Sequence, residues 1–118
     1  MKVDELEKII NNAFEDKQNI SNASDKKILD AINETIDLTD KGSIRVAEKK
    51  NGKWSVNQWV KKAILLSFRT NQMTMSKGPY TTWYDKVPGK SVSWSEADWK
   101  KAGYRHVPNG VVRRGSFI

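Results

Sequence analysis

Two sets of apolar residues near the start of the chain recur with the 3.6-residue period of an α-helix. The first set has the spacing i, i+3, i+4, i+7 and i+8 and consists of Leu6, Ile9, Ile10, Ala13 and Phe14. The second set consists of Ile28, Ala31, Ile32, Thr35 and Ile36. Each set falls on one helical face. Ser24 is a suitable N-cap for the second helix and Gly42 is a suitable terminator. The pattern therefore predicts an antiparallel αα-hairpin.

The pattern then changes to β-like alternation in residues 44–49, and Asn51-Gly52 follows. This dipeptide is a strong hairpin signal because both positions tolerate positive φ, and residues 53–56 would form the return strand. A third helix is predicted next, with Ser55 and Gln58 as its capping box. Its apolar residues form a broad surface and are Trp59, Val60, Ala63, Ile64, Leu66 and Phe68. So wide a surface is typical of a central, buried helix.

The sequence of the last third of the chain predicts short strands and one short helix. Residues 73–76 read as a strand, and residues 81–87 read as extended or irregular chain. Ser95 and Asp98 resemble a capping box that opens a short helix, 96–102, which Gly103 would close. Extended pieces, 105–107 and 111–113, follow it. The predicted fold class is therefore α+β and mainly helical: an αα-hairpin, a central helix and a short helix with a small β-hairpin or sheet.

Composition narrows the class of protein. The chain has 118 residues, 37% hydrophobic and 30% charged, which suits one soluble globular domain. No apolar run approaches the ~20 residues of a membrane helix, and acidic residues follow the initial methionine where a signal peptide would be apolar. With no cysteine, disulfides and thiolate chemistry are excluded. We therefore expect a cytoplasmic protein with no membrane partner.

Charge is distributed unevenly along the chain. Residues 1–43 hold 6 basic and 10 acidic side chains, whereas residues 44–118 hold 15 basic and 4 acidic ones. An excess of cations attracts anions, which here include nucleic acid, a dicarboxylate metabolite or a phosphorylated cofactor, although a solvated basic surface is the simplest alternative. All five Trp lie between positions 54 and 99. Trp54 and Trp59 are expected in the core. Aromatic residues among cations can stack nucleobases, but packing is the favoured role of the others.

No complete catalytic constellation is present in the sequence. There is one histidine and no cysteine, so cysteine-based metal sites and Cys-His pairs are excluded. His106 is interpreted as a surface or interface residue and Ser116 as structural. We predict no catalytic, metal-binding or cofactor-binding residue in this chain.

Arg105 is the candidate binding residue. It follows Gly103-Tyr104 and precedes an extended stretch that ends at Pro108, so its backbone is constrained on both sides. A guanidinium binds a carboxylate through two parallel hydrogen bonds, as the non-reacting end of a dicarboxylate substrate requires. A surface ion pair is the alternative interpretation.

Several ordered segments of the chain match one protein family. They are residues 43–49 with 51–54, the helical segment 58–69, the loop 85–90, and the C-terminal segments 103–108 and 112–118. The amino-acid sequences of these segments resemble the N-terminal region of tetrahydrodipicolinate N-succinyltransferase. The resemblance is strong from about residue 36 onward, and residues 71–84 depart most from it. The family pattern has Phe at Tyr104 and usually Ala at Ser116.

The resemblance implies most of the expected function. The family transfers a succinyl group from succinyl-CoA, its cosubstrate, to the amino group of tetrahydrodipicolinate in lysine and diaminopimelate biosynthesis, and it works as a homotrimer. By this resemblance Arg105 contacts the dicarboxylate substrate. The catalytic acids and the CoA-binding surface belong to a left-handed β-helix of hexapeptide repeats, which is absent here. The chain alone is therefore expected to be inactive, and no nucleic-acid partner is expected.

The resemblance also divides the chain. Residues 1–110 would form the N-terminal helical domain, and residues 111–118 would start a truncated β-helix domain. Because the chain ends on apolar Phe117 and Ile118, we expect the 111–118 segment to be disordered or to pair with a neighbouring molecule. The rival hypothesis is a stand-alone basic module that binds nucleic acid or acts in protein interaction. A steep salt dependence of DNA binding would favour that module, and hexapeptide repeats downstream would favour the enzyme.

Overall fold

α-Helices supply most of the regular structure, and two short hairpins supply the rest. The structure, a computed structural model, describes all 118 residues. The helices are α1 (Val3–Glu15), α2 (Lys26–Asp40), α3 (Gln58–Thr70) and α4 (Glu96–Ala102). The strands are β1 (Ala47–Lys50), β2 (Lys53–Val56), β3 (Thr74–Lys77) and β4 (Thr82–Asp85). This α+β, mainly helical architecture confirms the predicted fold class.

Helix α3 is the centre of the core. It packs against both α1 and α2, which also pack against each other. The core cluster draws its buried side chains from all three helices and from the α1–α2 link: Leu6, Ile10, Ala13, Ile20, Ala31, Ile32, Trp59, Val60, Ala63 and Leu66. The helical period puts these residues on facing stripes, so their burial confirms the predicted central position of the third helix. None of the four helices combines the length and apolar character needed to cross a membrane.

Helices α1 and α2 run in opposite directions, as predicted. The amino group of Met1 lies 2.9 Å from Glu34, and the Glu5 carboxylate lies 3.9 Å from Lys27. Later residues of α1 therefore lie beside earlier residues of α2, which is the antiparallel arrangement. Gly42 follows α2 with φ +75°, a left-handed conformation that favours glycine, so the predicted terminator is confirmed.

The starts of α2 and α3 differ from the prediction. The Ser24 hydroxyl accepts the backbone N–H of Ser21 at 2.9 Å and so closes the preceding turn, whereas Asp25 is the N-cap of α2. Ser55 lies in β2, and Asn57 is the N-cap of α3. Neither N-cap residue makes a side-chain capping bond. Both predicted serine caps are therefore wrong.

The first hairpin has the predicted turn. Asn51 and Gly52 have φ values of 51° and 77°, and β1 pairs with β2 in antiparallel register. The predicted core position of Trp54 is wrong, because its side chain is 72% exposed. Trp54 lies opposite Lys49, which is also exposed. A two-stranded sheet has an uncovered face, and Trp54 lies on it.

A second hairpin, β3–β4, occupies the region expected to be partly irregular. The predicted strand near residue 74 is confirmed, and residues 82–85 form its partner. Met75 and Tyr84 are opposite each other and remain 62% and 69% exposed. The hairpin therefore presents an uncovered apolar pair.

Burial ends abruptly along the chain. Every buried residue lies between Leu6 and Ser67. We call residues 1–70 the helical body. The remaining residues, 71–118, are half-buried or exposed and rest on this body without a core of their own.

The final segment of the chain is held against α2. The Gly115 N–H donates to the Asp40 carboxylate at 2.8 Å. A side chain at Gly42 would lie only 2.7 Å from the Phe117 ring, so this ring covers the end of α2. The guanidinium of Arg45 also lies over the Phe117 ring, 5.1 Å from its centroid. This packing differs from the disorder or intermolecular pairing predicted for the segment.

Candidate functional site

Arg105 lies in a lobe that projects from the helical body. We define the Arg105 lobe as residues 91–111. Its base is closed by two backbone hydrogen bonds, from Lys90 N–H to the Val112 carbonyl (2.9 Å) and from Arg114 N–H to the Pro88 carbonyl (3.0 Å). An antiparallel bridge between residues 89 and 113 lies between them. The chain thus leaves the body at one point, forms the lobe and returns beside its own starting point.

Local sequence determines where the lobe turns. The Ser95 hydroxyl accepts the Asp98 N–H, and the Asp98 carboxylate accepts the Ser95 N–H at 2.8 Å, so the predicted capping box is confirmed. The same Ser95 N–H and hydroxyl lower the pKa of Asp98. Gly103 ends α4 with φ +76°, as predicted. The chain direction therefore changes directly before Tyr104 and Arg105.

Aromatic rings fill the lobe interior. Trp99 is the hub: its ring centroid lies 4.8 Å from that of Trp94, 5.5 Å from Tyr104 and 5.8 Å from His106. The first two pairs meet edge to face, a geometry that aromatic rings favour. His106 Nε2 also donates to the Gly110 carbonyl at 2.8 Å, since a carbonyl can only accept. His106 is thereby engaged in holding the turn that follows Arg105.

The side chain of Arg105 is free. It is exposed and belongs to none of the eight ion pairs in the chain. The two arginines that follow it are engaged, Arg113 with Asp85 and Arg114 with Asp37. A planar guanidinium without an internal partner can bind an external carboxylate in bidentate fashion. The surface ion pair that is the alternative interpretation of Arg105 is absent from the structure.

Arg105 does not lie in a closed pocket. A cavity of about 230 Å³ lies instead between α2, α3 and the final segment, and Arg113 and Arg114 are among its lining residues. A larger open cleft of about 620 Å³ lies beside Phe14 and Leu65. Neither is lined by Arg105. The Arg105 guanidinium is therefore exposed on the surface of the lobe, outside both cavities.

The carboxyl groups with shifted pKa values are hydrogen-bonded to other groups of the chain. The pKa of Asp85 is lowered, chiefly by the Lys86 N–H and next by the Arg113 guanidinium. The pKa of Glu48 is lowered, chiefly by a hydrogen bond from Lys50. A lowered pKa favours the carboxylate and moves the group away from the near-neutral range of a general acid or base. No three His, Asp or Glu side chains converge in a way that could hold a metal ion.

The Asp85 carboxylate should make stability depend on pH. Because its pKa is lower in the folded state, its stabilising effect is fully present above the unfolded value of about 3.9 and is lost as pH falls through the folded value. We expect Asp85→Asn to lower the Tm at pH 7 and to lower it progressively less as the pH falls from about 4 towards 2. Thermal unfolding followed by circular dichroism across this range measures the difference. Glu15→Gln is the control because Glu15 is exposed and makes no ion pair. A Tm difference for Asp85→Asn that persists at the acidic end would contradict this assignment.

Sequence reasoning missed one group beside the lobe. The Lys90 side chain is only 8% exposed, and its ammonium lies 2.8 Å from the Asp40 carboxylate. The two residues are 50 positions apart. Lys90 ends the loop 85–90 and Asp40 belongs to no motif, so no sequence signal pairs the two residues.

Comparison with known proteins places this architecture in a family. Residues 5–70 match the family model described as "Tetrahydrodipicolinate N-succinyltransferase N-terminal". The matched region coincides with the helical body, which holds every buried residue.

Similar curated proteins extend the match over nearly the whole chain. A 2,3,4,5-tetrahydropyridine-2,6-dicarboxylate N-succinyltransferase of Pelagibacter ubique is 59% identical over 117 residues, which cover 97% of this chain and 42% of that protein. Proteins of the same name from Psychrobacter sp. and Mesorhizobium japonicum are 51% and 49% identical; the matches cover 96% of this chain and 42% and 41% of those proteins. The chain thus spans less than half the length of these relatives. It belongs to the tetrahydrodipicolinate N-succinyltransferase N-terminal domain family.

Proposed function

We propose that this chain is the N-terminal domain of a cytoplasmic acyltransferase in lysine and diaminopimelate biosynthesis. The enzyme would transfer the succinyl group of succinyl-CoA to the amino group of tetrahydrodipicolinate, and Arg105 would bind a carboxylate of that acceptor. The names of the relatives, which specify a 2,6-dicarboxylate and an N-succinyl transfer, support the acceptor and the reaction. The expected homotrimer and the β-helix beginning at 111–118 are parts of the same proposal.

The observation that carries the proposal is the free guanidinium of Arg105. Aromatic packing on one side and the His106 hydrogen bond on the other hold its backbone, while its side chain has no ion-pair partner. In this reaction the amino nitrogen of the acyclic acceptor would form a bond to the succinyl carbonyl carbon as the bond from that carbon to the CoA sulfur breaks, and the proton lost by the nitrogen would balance the one gained by the CoA thiol. A guanidinium fixed on the distant carboxylate would orient the nitrogen without taking part in bond formation.

The proposal assigns the remaining chemistry to a second surface. The three carboxyl groups with shifted pKa values all have them lowered, and Arg105 lies on an open surface. Both features suit a domain that supplies one substrate contact to a site completed elsewhere. The uncovered apolar side chains of Met75 and Tyr84, and of Val107 and Val111 near Arg105, suit contact with that second surface.

A chimeric enzyme tests the proposal. Residues 1–118 replace the aligned segment of the Pelagibacter ubique relative, and CoA release is measured. Charge-assisted hydrogen bonds contribute about 1.5–3 kcal/mol, so we expect Arg105→Ala to raise the KM for the acceptor by roughly 10- to 100-fold. The KM for succinyl-CoA should remain unchanged. Arg105→Lys should be intermediate, since a lysine keeps the charge and loses the bidentate geometry.

Lys101→Ala is the matched control for Arg105→Ala. Lys101 is an exposed cation of the same lobe, in the last turn of α4, and forms no ion pair. Its loss changes the net charge equally and should leave both KM values unchanged. Equal effects of the two substitutions, or a raised KM for succinyl-CoA in Arg105→Ala, would refute the role of Arg105.

A further inference from the structure

The Arg105 lobe is attached to the rest of the chain only at its base. No hydrogen bond or ion pair joins residues 91–111 to a residue outside the lobe and its base strands, 88–90 and 112–114. The internal bonds of α4, its cap and the His106 turn make the lobe a unit. Its orientation is therefore determined by whatever holds the two base strands on the helical body.

One residue of the helical body hydrogen-bonds on both sides of this base. Asp40, the last residue of α2, accepts the Lys90 ammonium with Oδ2 at 2.8 Å and with its own carbonyl at 2.9 Å. Its other carboxylate oxygen, Oδ1, accepts the Gly115 N–H at 2.8 Å. The outgoing strand, at Lys90, and the residue directly after the returning strand, Gly115, are thus fastened to a single carboxylate.

The remaining polar links hold one side only. Arg114 bonds to Asp37 and Asn33 on the exposed surface of α2, which fixes the returning strand alone. Lys86 bonds to the Phe68 carbonyl ahead of the outgoing strand. Lys90 is also the most enclosed member of any ion pair in the chain, at 8% side-chain exposure, so loss of the Asp40 carboxylate would leave an enclosed ammonium without a partner charge.

We infer that Asp40 is a positioning residue for Arg105: its carboxylate, fastening both base strands, fixes the direction in which the lobe presents the guanidinium. The inference rests on the proposed function, in which Arg105 binds an acceptor carboxylate. Asn in place of Asp40 keeps an oxygen for the Gly115 N–H but leaves the enclosed Lys90 ammonium without a counter-charge. The base then opens on the outgoing side and the lobe loses its fixed orientation.

Hydrogen exchange on the 118-residue chain tests the attachment itself. In Asp40→Asn we expect the Lys90 amide, whose hydrogen bond to the Val112 carbonyl closes the outgoing side of the base, to exchange roughly tenfold faster. Amides in α1 and α3 should keep their rates, which shows that the body remains folded. Asp37→Asn is the control: it makes the same substitution on the same helix but touches only the returning strand through Arg114. Unchanged exchange of the Lys90 amide in Asp40→Asn, or an equal acceleration of it in Asp37→Asn, would overturn the inference.

Kinetics of the chimeric enzyme test the positioning role. We expect Asp40→Asn to raise the KM for the acceptor about tenfold with the KM for succinyl-CoA unchanged. Asp40→Glu, which restores the charge, should recover part of the loss. In an Arg105→Ala background, Asp40→Asn should add nothing, because the group it positions is gone. A full additional effect in that background would show that Asp40 acts on something other than Arg105.

These outcomes distinguish the proposed function of Arg105 from the positioning role of Asp40. If Arg105→Ala raises the acceptor KM and Asp40→Asn does not, the proposed function stands and the positioning role is wrong. If Arg105→Ala itself has no effect on that KM, the proposed function of Arg105 fails. In that case faster exchange of the Lys90 amide in Asp40→Asn would leave Asp40 as an anchor without a role in acceptor binding, and the inference would also be rejected.

Discussion

Replacing Leu66 by alanine should destabilise the chain by about 2–5 kcal/mol, the range observed for buried leucines. Leu66 lies on α3, is 1% exposed and belongs to the core cluster shared with α1 and α2. Removing its side chain loses buried apolar area and leaves a cavity that the three helices cannot fully close. For a domain of this size the loss corresponds to a fall in Tm of about 10–20 °C. Differential scanning calorimetry, or circular dichroism at 222 nm, measures it.

The adjacent residue supplies a matched control. Leu65 is on the same helix but is 43% exposed. Leu65→Ala makes the same chemical change and keeps the helix propensity effect equal, so we expect a loss below about 1 kcal/mol. Similar losses for the two substitutions would show that α3 does not present the face described for it.

The second large effect concerns activity. Residues 1–118 alone, supplied with succinyl-CoA and tetrahydrodipicolinate, should release no CoA above the rate in buffer. Rate acceleration needs donor and acceptor held together in reactive geometry, and Arg105 is a single contact on an open surface. Glu48, Asp85 and Asp98 have lowered pKa values, which makes them poor proton donors near pH 7. A thiol-reactive assay of free CoA is suitable because the chain contains no cysteine.

The chimeric enzyme described above is the positive control for this assay. It places the same 118 residues beside the remainder of a relative, so turnover by the chimera and none by the isolated chain would locate the missing groups in that remainder. Turnover by the isolated chain that survives Arg105→Ala would show that residues 1–118 contain a catalytic centre of their own.

Helical elements could be predicted from the sequence because their signal is repeated many times. The stripes on α1, α2 and α3 each contain several apolar residues with one period, and burial of those stripes is what stabilises the body. Asn51-Gly52 and the capping box at Ser95 were equally predictable. In these motifs the local backbone conformation itself selects the residue types.

Predictions were poor for single residues that could take either of two hydrogen-bond partners or lie on either of two faces. The Ser24 hydroxyl bonds within the preceding turn because its partner, the Ser21 N–H, is equally local. Trp54 was assigned to the core on hydrophobicity, but a two-stranded sheet covers only one of its faces, and the sequence does not show which face.

The candidate site was predictable in one part and hidden in another. Arg105 was proposed from a short segment with glycine before it and proline after it, and its binding role stays a prediction. Asp40 and Lys90 were not identified, because a contact across 50 positions depends on how α2 and the base strands meet in three dimensions. Positions of this kind follow from tertiary packing and leave no periodic trace.

The confinement of every buried residue to positions 6–67 has a consequence for synthesis. Domains generally fold as units as they leave the ribosome, N-terminal parts first. All the side chains that this core requires have been translated before the segment carrying Arg105 is made. The body can therefore complete its packing while later residues are still emerging, and Asp40 is already in place at its surface when Lys90 arrives.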